Sequence, residues 1–415
     1  MTVRHDFPLP EPERMTSEIE SLAQISEPDA PRWTRRALSE AETVARHDVS
    51  RRMRAAGLEV HVDGAGNLVG VLEGRDGGRA IVTGSHTDTV LGGGRFDGIV
   101  GVLGALEALE CLAAADRRLR HDLWIVDFYG EEPNEFGLSC LGSRAVAGNL
   151  SLAHLDRTDD TGRNLADAMA DVGIDPSRAL SAGWNPADIA AFVECHIEQG
   201  PRLEQEGVEI GVVSAIAGID RAVVNLCGRR DHAGTMPIPM RHDAACAAAD
   251  VILAVERLGR EGGVATTGRV IVGPGAANIV PDHSLLWVEF RSIEPDWLER
   301  KRNELEGAVA ETGSRRGVQG DVEWRSTEGP TVMSDSVSKA VGDAAATLGH
   351  SVMLLPSGAG HDSVQLASLT PTGMVFVPSR DGRSHCPEEY TEPGDLAIGA
   401  QVLAATLARL DEVMA

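Results

Sequence analysis

Apolar and polar positions fall into blocks whose period changes along the chain, and each change marks an element. Residues 80–85, 123–128, 191–197 and 372–377 are short, almost unbroken runs of Val, Ile, Phe, Leu and Ala, the pattern of strands buried on both faces. Between the first two lies 99–115, apolar all round except at Glu107 and Glu110, which predicts a helix buried over most of its surface. Strand, helix and strand at this spacing predict a βαβ unit. Upstream, Ser39 and Glu42 have the spacing of a capping box and Gly57 supplies a stop, so a helix is predicted over 40–56. A hairpin follows, with strands 58–62 and 67–72 around Asp63, Gly64, Ala65 and Gly66. A short helical pattern spans 19–25, and 161–187 is polar and helix-forming.

From about Val212 the character changes. A strand at 219–226, a helix at 243–258, strands at 268–272 and 284–291, a helix at 297–313 and a strand at 321–326 give the β-α-β-β-α-β order of a ferredoxin-like unit. A helix at 334–348, the core strand 372–377 and a closing helix at 395–410 then resume the earlier style. The fold class expected is therefore α/β. A mixed, largely parallel sheet with helices on both faces is built from 1–211 and 327–415, and a ferredoxin-like α+β domain is inserted at 212–326.

Length agrees, since 415 residues exceed one ordinary core and suffice for two. With 63 acidic against 38 basic side chains, the formal charge of -25 repels phosphate backbones and anionic lipid surfaces, so neither nucleic acid nor membrane is an expected partner. Six cysteines without a Cys-x-x-Cys pair suit reduced thiols, the N-terminus lacks the apolar core of a signal peptide, and no run reaches the length of a membrane helix. The expected location is the cytoplasm.

The chemistry clusters after the predicted strands. Gly84 to Gly98 carries His86, Asp88 and Asp97 among glycines at 92, 93, 94 and 98, which let backbone approach closely. The strand 123–128 runs into Glu131 and Glu132, the strand 191–197 carries His196 and leads into Gln199, and His385 follows the strand 372–377. His86, Asp97, Glu132, His196 and His385 are hard or borderline donors, a set that favours Zn²⁺ or Mn²⁺ and accommodates Co²⁺ or Ni²⁺. Five ligands suit two divalent ions with one carboxylate shared. Of the paired glutamates, one binds metal while its neighbour, Glu131, serves as the base toward an activated water. Asp88 is placed to accept the second ring N–H of His86 and fix its tautomer.

The segments Gly84-Ser85-His86-Thr87-Asp88, Phe96-Asp97-Gly98, Glu131-Glu132, His196-Ile197-Glu198-Gln199-Gly200, His232-Ala233-Gly234-Thr235 and Ser384-His385 resemble the M20 metallopeptidase family. More narrowly they resemble its hydantoinase/carbamoylase branch, which includes N-carbamoyl-L-amino-acid hydrolases, β-ureidopropionases and allantoate amidohydrolases. The resemblance implies two metal ions per subunit, with Asp97 bridging, His86 and His196 on one, Glu132 and His385 on the other, and Glu131 as general base. It further implies that Gln199 meets the ureido or amide group and that Asn278 and Arg291 hold a substrate carboxylate, a role matched by the fork of a guanidinium. Gly360 and His361 would lie near the substrate, and His232 would stabilise the tetrahedral intermediate from the partner subunit of a homodimer, the inserted domain serving as lid and dimerisation domain. The sequence departs from the branch at Pro133-Asn134-Glu135, at Arg383 and at Met236, leaving the acyl group open. The activity implied is hydrolysis of a linear amide or ureido C–N bond in a small carboxylate-bearing substrate, most simply an N-carbamoyl amino acid or related ureido acid. The alternatives are an aminoacylase or dipeptidase of the same superfamily and a non-catalytic small-molecule binding homologue.

Overall fold

In the computed structural model, which describes residues 7–260 and 262–414, the first long helix begins where the Ser39 hydroxyl accepts the Glu42 N–H at 3.1 Å and caps Glu40–Ala55. The Glu42 carboxylate reaches past the cap residue to the Leu38 N–H, 2.8 Å away, so the reciprocal half of the capping box is displaced by one residue. Strands β1 (Glu59–Val62), β2 (Leu68–Leu72), β3 (Ala80–His86), β4 (Asp122–Phe128), β5 (Ile189–Ile197) and β6 (Ile210–Ile216) follow, with the apolar helix Ile99–Ala114 between β3 and β4. Residues 161–187 form short pieces, Leu165–Asp171, Pro176–Ala179 and a 3-10 turn at Pro186–Asp188. Gly173 at φ 84° interrupts them, and Pro176 behind the Asp175 cap starts the second afresh.

The chain then runs through β7 (Gly218–Cys227), β8 (Asp231–His232), helix Ala244–Leu258, β9 (Val264–Gly273), β10 (Ile279–Val280), β11 (His283–Ser292), helix Pro295–Arg316, β12 (Gln319–Glu328) and β13 (Thr331–Val332). It closes with helix Asp335–Leu348, β14 (Val352–Ser357), β15 (Thr372–Val377) and helix Pro393–Val413. Two compact units result, one ending at Ser214 and resuming at Met333, the other spanning Ala215–Val332. These limits fall later than 212 and 326, because β6 continues to Ile216 and β12 to Glu328. Predicted limits at residues 1 and 415 lie outside the described residues. Within the first unit, the Met333 N–H donates to the Ser214 carbonyl at 3.0 Å, so the points of departure and return are adjacent.

The large sheet has the order β1-β2-β4-β3-β5-β15-β6-β13, with β14 also on β6. Its centre, β4-β3-β5-β15, is parallel, and the outer pairings β1 with β2, β2 with β4 and β15 with β6 are antiparallel. Alternation along the strands divides the core. Ile81, Leu123, Ile125, Val193 and Val375 face one apolar cluster with helices Pro12–Ala23, Glu40–Ala55, Ile99–Ala114, Asp335–Leu348 and Pro393–Val413. Val82, Val126, Phe128 and Phe192 face a second cluster with Leu141, Ala145, Leu165 and Met169. Covered on both faces, the central strands hold their C-terminal ends in one row. The second unit carries an antiparallel sheet of order β12-β7-β11-β9, the ferredoxin-like arrangement. Ala222, Val224, Leu226, Leu286, Val288 and Phe290 pack its inner face against Val251, Val255, Leu305 and Val309. Among the described residues no helix is long and apolar enough to cross a membrane.

Candidate metal centre

Four parallel strands and the loops behind them place the polar groups. His86 ends β3 and His196 lies one residue before the end of β5, while Glu131 and Glu132 follow β4 after a turn at Tyr129 and Gly130. Asp97 sits in the loop that enters helix Ile99–Ala114, and His385 follows β15. Gly98 makes the junction possible. It takes φ 68°, a Cβ there would stand 2.4 Å from the His86 ring, and its N–H donates to His196 Nε2 at 3.1 Å.

The two Asp97 oxygens diverge. Oδ1 lies 3.1 Å from His196 Nε2 and 3.6 Å from His86 Nε2. Oδ2 lies 3.0 Å from His385 Nε2, which is itself 3.3 Å from Glu132 Oε1. His86, Asp97 and His196 can therefore hold one ion and Asp97, Glu132 and His385 a second, the ligand atoms in each set lying within 4.8 Å of one another. A third set, Glu194, His196 and His361, meets the same criterion behind the first. In that set both Glu194 oxygens are engaged, Oε1 by the Ser85 hydroxyl at 2.7 Å and Oε2 by the Ser363 N–H and hydroxyl at 3.1 and 2.6 Å.

The residues fit divalent ions. The donors are nitrogen and oxygen throughout, and the ionisable side chains that act most strongly on Asp97, Glu131 and Glu132 are imidazoles and other carboxylates. Burial works against an ionised Asp97, yet His196, His385 and His86 together hold its carboxyl well below the usual range. Hydrogen bonds to Asp97 and Glu132 push His385 up to about 11. Burial raises Glu131 well above an ordinary carboxyl, against the pull of His86 and with reinforcement from Glu132, Asp362 and Asp88.

Asp88 meets His86 through two oxygens. His86 Nδ1 lies 3.1 Å from the Asp88 carbonyl oxygen and 3.4 Å from its carboxylate, so the carbonyl is the nearer acceptor that leaves Nε2 bare toward Asp97. His196 is set the same way by the Ile197 carbonyl at 2.9 Å. The Asp88 carboxylate also accepts the N–H groups of Glu131 and Glu132, each at 3.1 Å, and so fixes the turn that carries both glutamates. Glu131 Oε2 is 3.7 Å from His86 Nε2, and Oε1 accepts the Cys140 thiol at 3.3 Å.

The expected substrate residues divide between the units. In the first, Gln199 takes φ 56° and donates to Asp97 Oδ2 at 2.7 Å and to Ser384 Oγ at 3.2 Å, while its Oε1 is buried and unpartnered among the described residues. His361 is buried, its Nε2 2.8 Å from Ser357 Oγ and its ring edge-on to His196 with centroids 4.5 Å apart. Gly360 is half-buried, with no atom within 4 Å of a Cβ position. In the second unit, the β8–β10 pair sets Ile279 opposite His232, and the Ala233 N–H donates to the Asn278 carbonyl at 3.0 Å, making His232 and Asn278 neighbours. The Gly234 N–H donates to His232 Nδ1 at 3.1 Å, which assigns the ring proton to Nε2. Arg291 lies apart from them on β11, its Nε donating to Glu289 Oε1 at 2.6 Å while Oε2 accepts Arg221 Nε at 2.7 Å. Sequence reasoning assigns no role at the centre or on a substrate to Glu194, Cys140, Glu289 or Glu389. Glu194 alone left a signal, a carboxylate inside an apolar strand run.

Residues 82–409 match the model of peptidase family M20/M25/M40. The N-carbamoyl-L-amino-acid amidohydrolase of Paenarthrobacter aurescens is 39% identical over 404 residues, covering 96% of this chain and 98% of that protein. The crystal structure of AtUAH in complex with glyoxylate superposes with a TM-score of 0.89 at 35% identity, over 99% of this chain and 100% of that one. A hydantoinase/carbamoylase family amidase from Burkholderia multivorans gives a TM-score of 0.85 at 33% identity, over 96% and 98%. The two ligand sets sharing Asp97 are those of a binuclear metal-dependent hydrolase. The chain belongs to the M20 peptidase family, in its hydantoinase/carbamoylase branch, close to the N-carbamoyl-amino-acid amidohydrolases and ureidoglycolate hydrolases.

Proposed function

We propose that the protein hydrolyses the ureido C–N bond of a small carboxylate-bearing substrate, an N-carbamoyl amino acid or a related ureido acid. The divided Asp97 carboxylate carries the reading, because its oxygens face separate ligand sets while Glu131 stands beside one of them. The substrate class follows the similarity to a hydrolase named for N-carbamoyl-L-amino acids and to a structure holding glyoxylate, itself a small carboxylate.

Two divalent ions, Zn²⁺ in the first instance with Mn²⁺, Co²⁺ or Ni²⁺ as alternatives, would be held by His86, Asp97 and His196 and by Asp97, Glu132 and His385. When bound, they supply Lewis acidity that lowers the pKa of water and polarises the scissile carbonyl. Glu131 takes the proton of the attacking water and returns it to the departing nitrogen. Asp88 keeps that carboxylate in place through the Glu131 N–H. In the homodimer this reading implies, the partner subunit's His232 offers Nε2–H to the carbonyl oxygen as negative charge develops there. Gln199 turns to the ureido group, Gly360 and His361 border it, and Asn278 and Arg291 receive the carboxylate. Water adds to the carbonyl, one C–N bond breaks, and the carbamic acid left loses carbon dioxide, giving amine, ammonia and carbon dioxide.

The inserted unit serves as lid and as the contact of a homodimer. In support, β9 is an edge strand with Val264, Val270, Ile271 and Val272 exposed, a surface that pairing with a second copy would cover. The six cysteines are all unpaired, as in a reducing cytoplasm.

The test is turnover by metal-stripped protein reloaded with each ion, read as ammonia released from N-carbamoyl amino acids and ureido acids and as free amino acid released from N-acyl amino acids and dipeptides. Turnover of the ureido compounds that needs metal, and that Glu131→Gln abolishes while still binding metal, is expected. Preference for dipeptides or N-acyl substrates would overturn the assignment.

A further inference from the structure

We propose that Glu389 is a positioning residue that ties the Asp97 loop to the His385 loop, so that the Asp97, Glu132 and His385 position retains its ion only while this tie is made. The inference rests on the two-ion reading of the centre. Glu389 is fully buried although it sits in a Pro-Glu-Glu-Tyr stretch that reads as a solvated turn. Its Oε1 accepts the N–H groups of Phe96 and Asp97 at 2.8 and 3.1 Å, and its Oε2 accepts the Ser384 hydroxyl at 2.7 Å. One carboxylate thus grips the backbone of the shared ligand and the residue preceding His385. Gly94 makes room for it, since a Cβ there would lie 1.8 Å from Glu389 Oε1.

The two ligand sets are unequally supported. The side chains of His86 and His196 stand on central strands and are 2% and 1% exposed, whereas that of His385 is 48% exposed on a loop at φ 56°. The first imidazole pair is held by the sheet itself. The third imidazole depends on what anchors its loop, and Ser384 is the neighbour that reaches inward, within 3.1 Å of Asp97 Oδ2 as well as of Glu389. The Ser384 hydroxyl has one proton for two carboxylates, so Glu389 sets which way it points.

Metal-free full-length protein would be titrated with Zn²⁺ by calorimetry and with Co²⁺ by visible absorption, for wild type, Glu389→Ala, Glu389→Gln and Ser384→Ala. Wild type should take two ions. In Glu389→Ala one ion should bind as in wild type and the second about 10- to 100-fold more weakly, with loss of one cobalt's absorption. Ser384→Ala should move the same ion in the same direction by less. Glu389→Gln should keep both, because its amide oxygen still accepts the two N–H groups and its NH₂ can donate to Ser384 Oγ. Two ions at wild-type affinity in Glu389→Ala, or equal weakening of both, would overturn the proposal. Should Glu389→Ala fail to fold, unchanged binding of both ions by Ser384→Ala would do so. A wild-type protein binding fewer than two ions is a separate outcome, which overturns the two-ion reading and the proposal with it.

Discussion

Replacing Asp88 by Asn tests whether its carboxylate works through the Glu131–Glu132 turn. Both oxygens are used, one on each glutamate N–H at 3.1 Å, in a place where Asp88, Glu131 and Glu132 are all buried. Asparagine keeps the shape and one acceptor, but its NH₂ meets the other N–H donor to donor. The loss is one hydrogen bond to a charged group, about 1.5–3 kcal/mol. If all of it appears as lost alignment of the base, kcat falls about 10- to 150-fold, each 1.4 kcal/mol being about tenfold. Substitution by Ala strands both donors and should cost about 2–6 kcal/mol of stability, a large part of the 5–15 kcal/mol typical of a domain. The assay is steady-state ammonia release from the best ureido substrate, alongside metal content and denaturant unfolding. The expected signature of Asp88→Asn is a drop in kcat with two ions still bound. A kcat within about threefold of wild type would refute the reasoning, since a turn that does not need its acceptor contributes nothing of this size.

Gly98→Ala should bring a methyl against the His86 ring and weaken metal binding at the His86 position; metal analysis after gel filtration would show it, and two tightly held ions would contradict it. Burial first, then Glu392, Glu209 and Glu204, push the Asp395 carboxyl up to about 6. The folded chain therefore holds this proton more tightly than the unfolded chain, and the stability it contributes is full below the ordinary carboxyl value and lost as pH rises through about 6. Asp395→Asn should leave stability unchanged near pH 3.5 and raise it by roughly 1 kcal/mol near pH 7.5, the group being partly open to solvent. Equal denaturant shifts at the two pH values would contradict the assignment.

What was legible in the sequence was whatever a short window expresses. The runs around Val82, Val126, Val193 and Val375 are mostly apolar on both alternating sets of positions because sheet faces on both sides are covered, and the helix after Asp97 is apolar apart from Glu107 and Glu110 for the same reason. The β-α-β-β-α-β order was readable because the four strands of its sheet are each ten residues long, and β11 alternates cleanly. The strand β6 escaped because its run Ile210 to Ile216 contains Gly211 and Ser214 and passes without a turn signal into the next strand. Of the centre, the groups that follow a strand announced themselves by position. Glu389 did not, since its partners Phe96 and Asp97 lie in a loop near the other end of the chain, and such contacts leave no local period. The spacing of Asp88 from His86 points to their contact, but the further donors to its carboxylate, two backbone N–H groups, carry no mark in a sequence.

The hydrogen bond from Met333 to Ser214 has a consequence for how this enzyme can change. The long excursion between them begins and ends at neighbouring points, so to the first unit it is a loop whose length is immaterial. On the proposed reading, the ions and the base belong to the part that stays, while His232, Asn278 and Arg291 belong to the part that leaves and returns. Grip and chemistry are thereby written on separable cassettes. A lineage can exchange or remodel the inserted segment to take hold of a different acid without re-evolving the centre that breaks the bond.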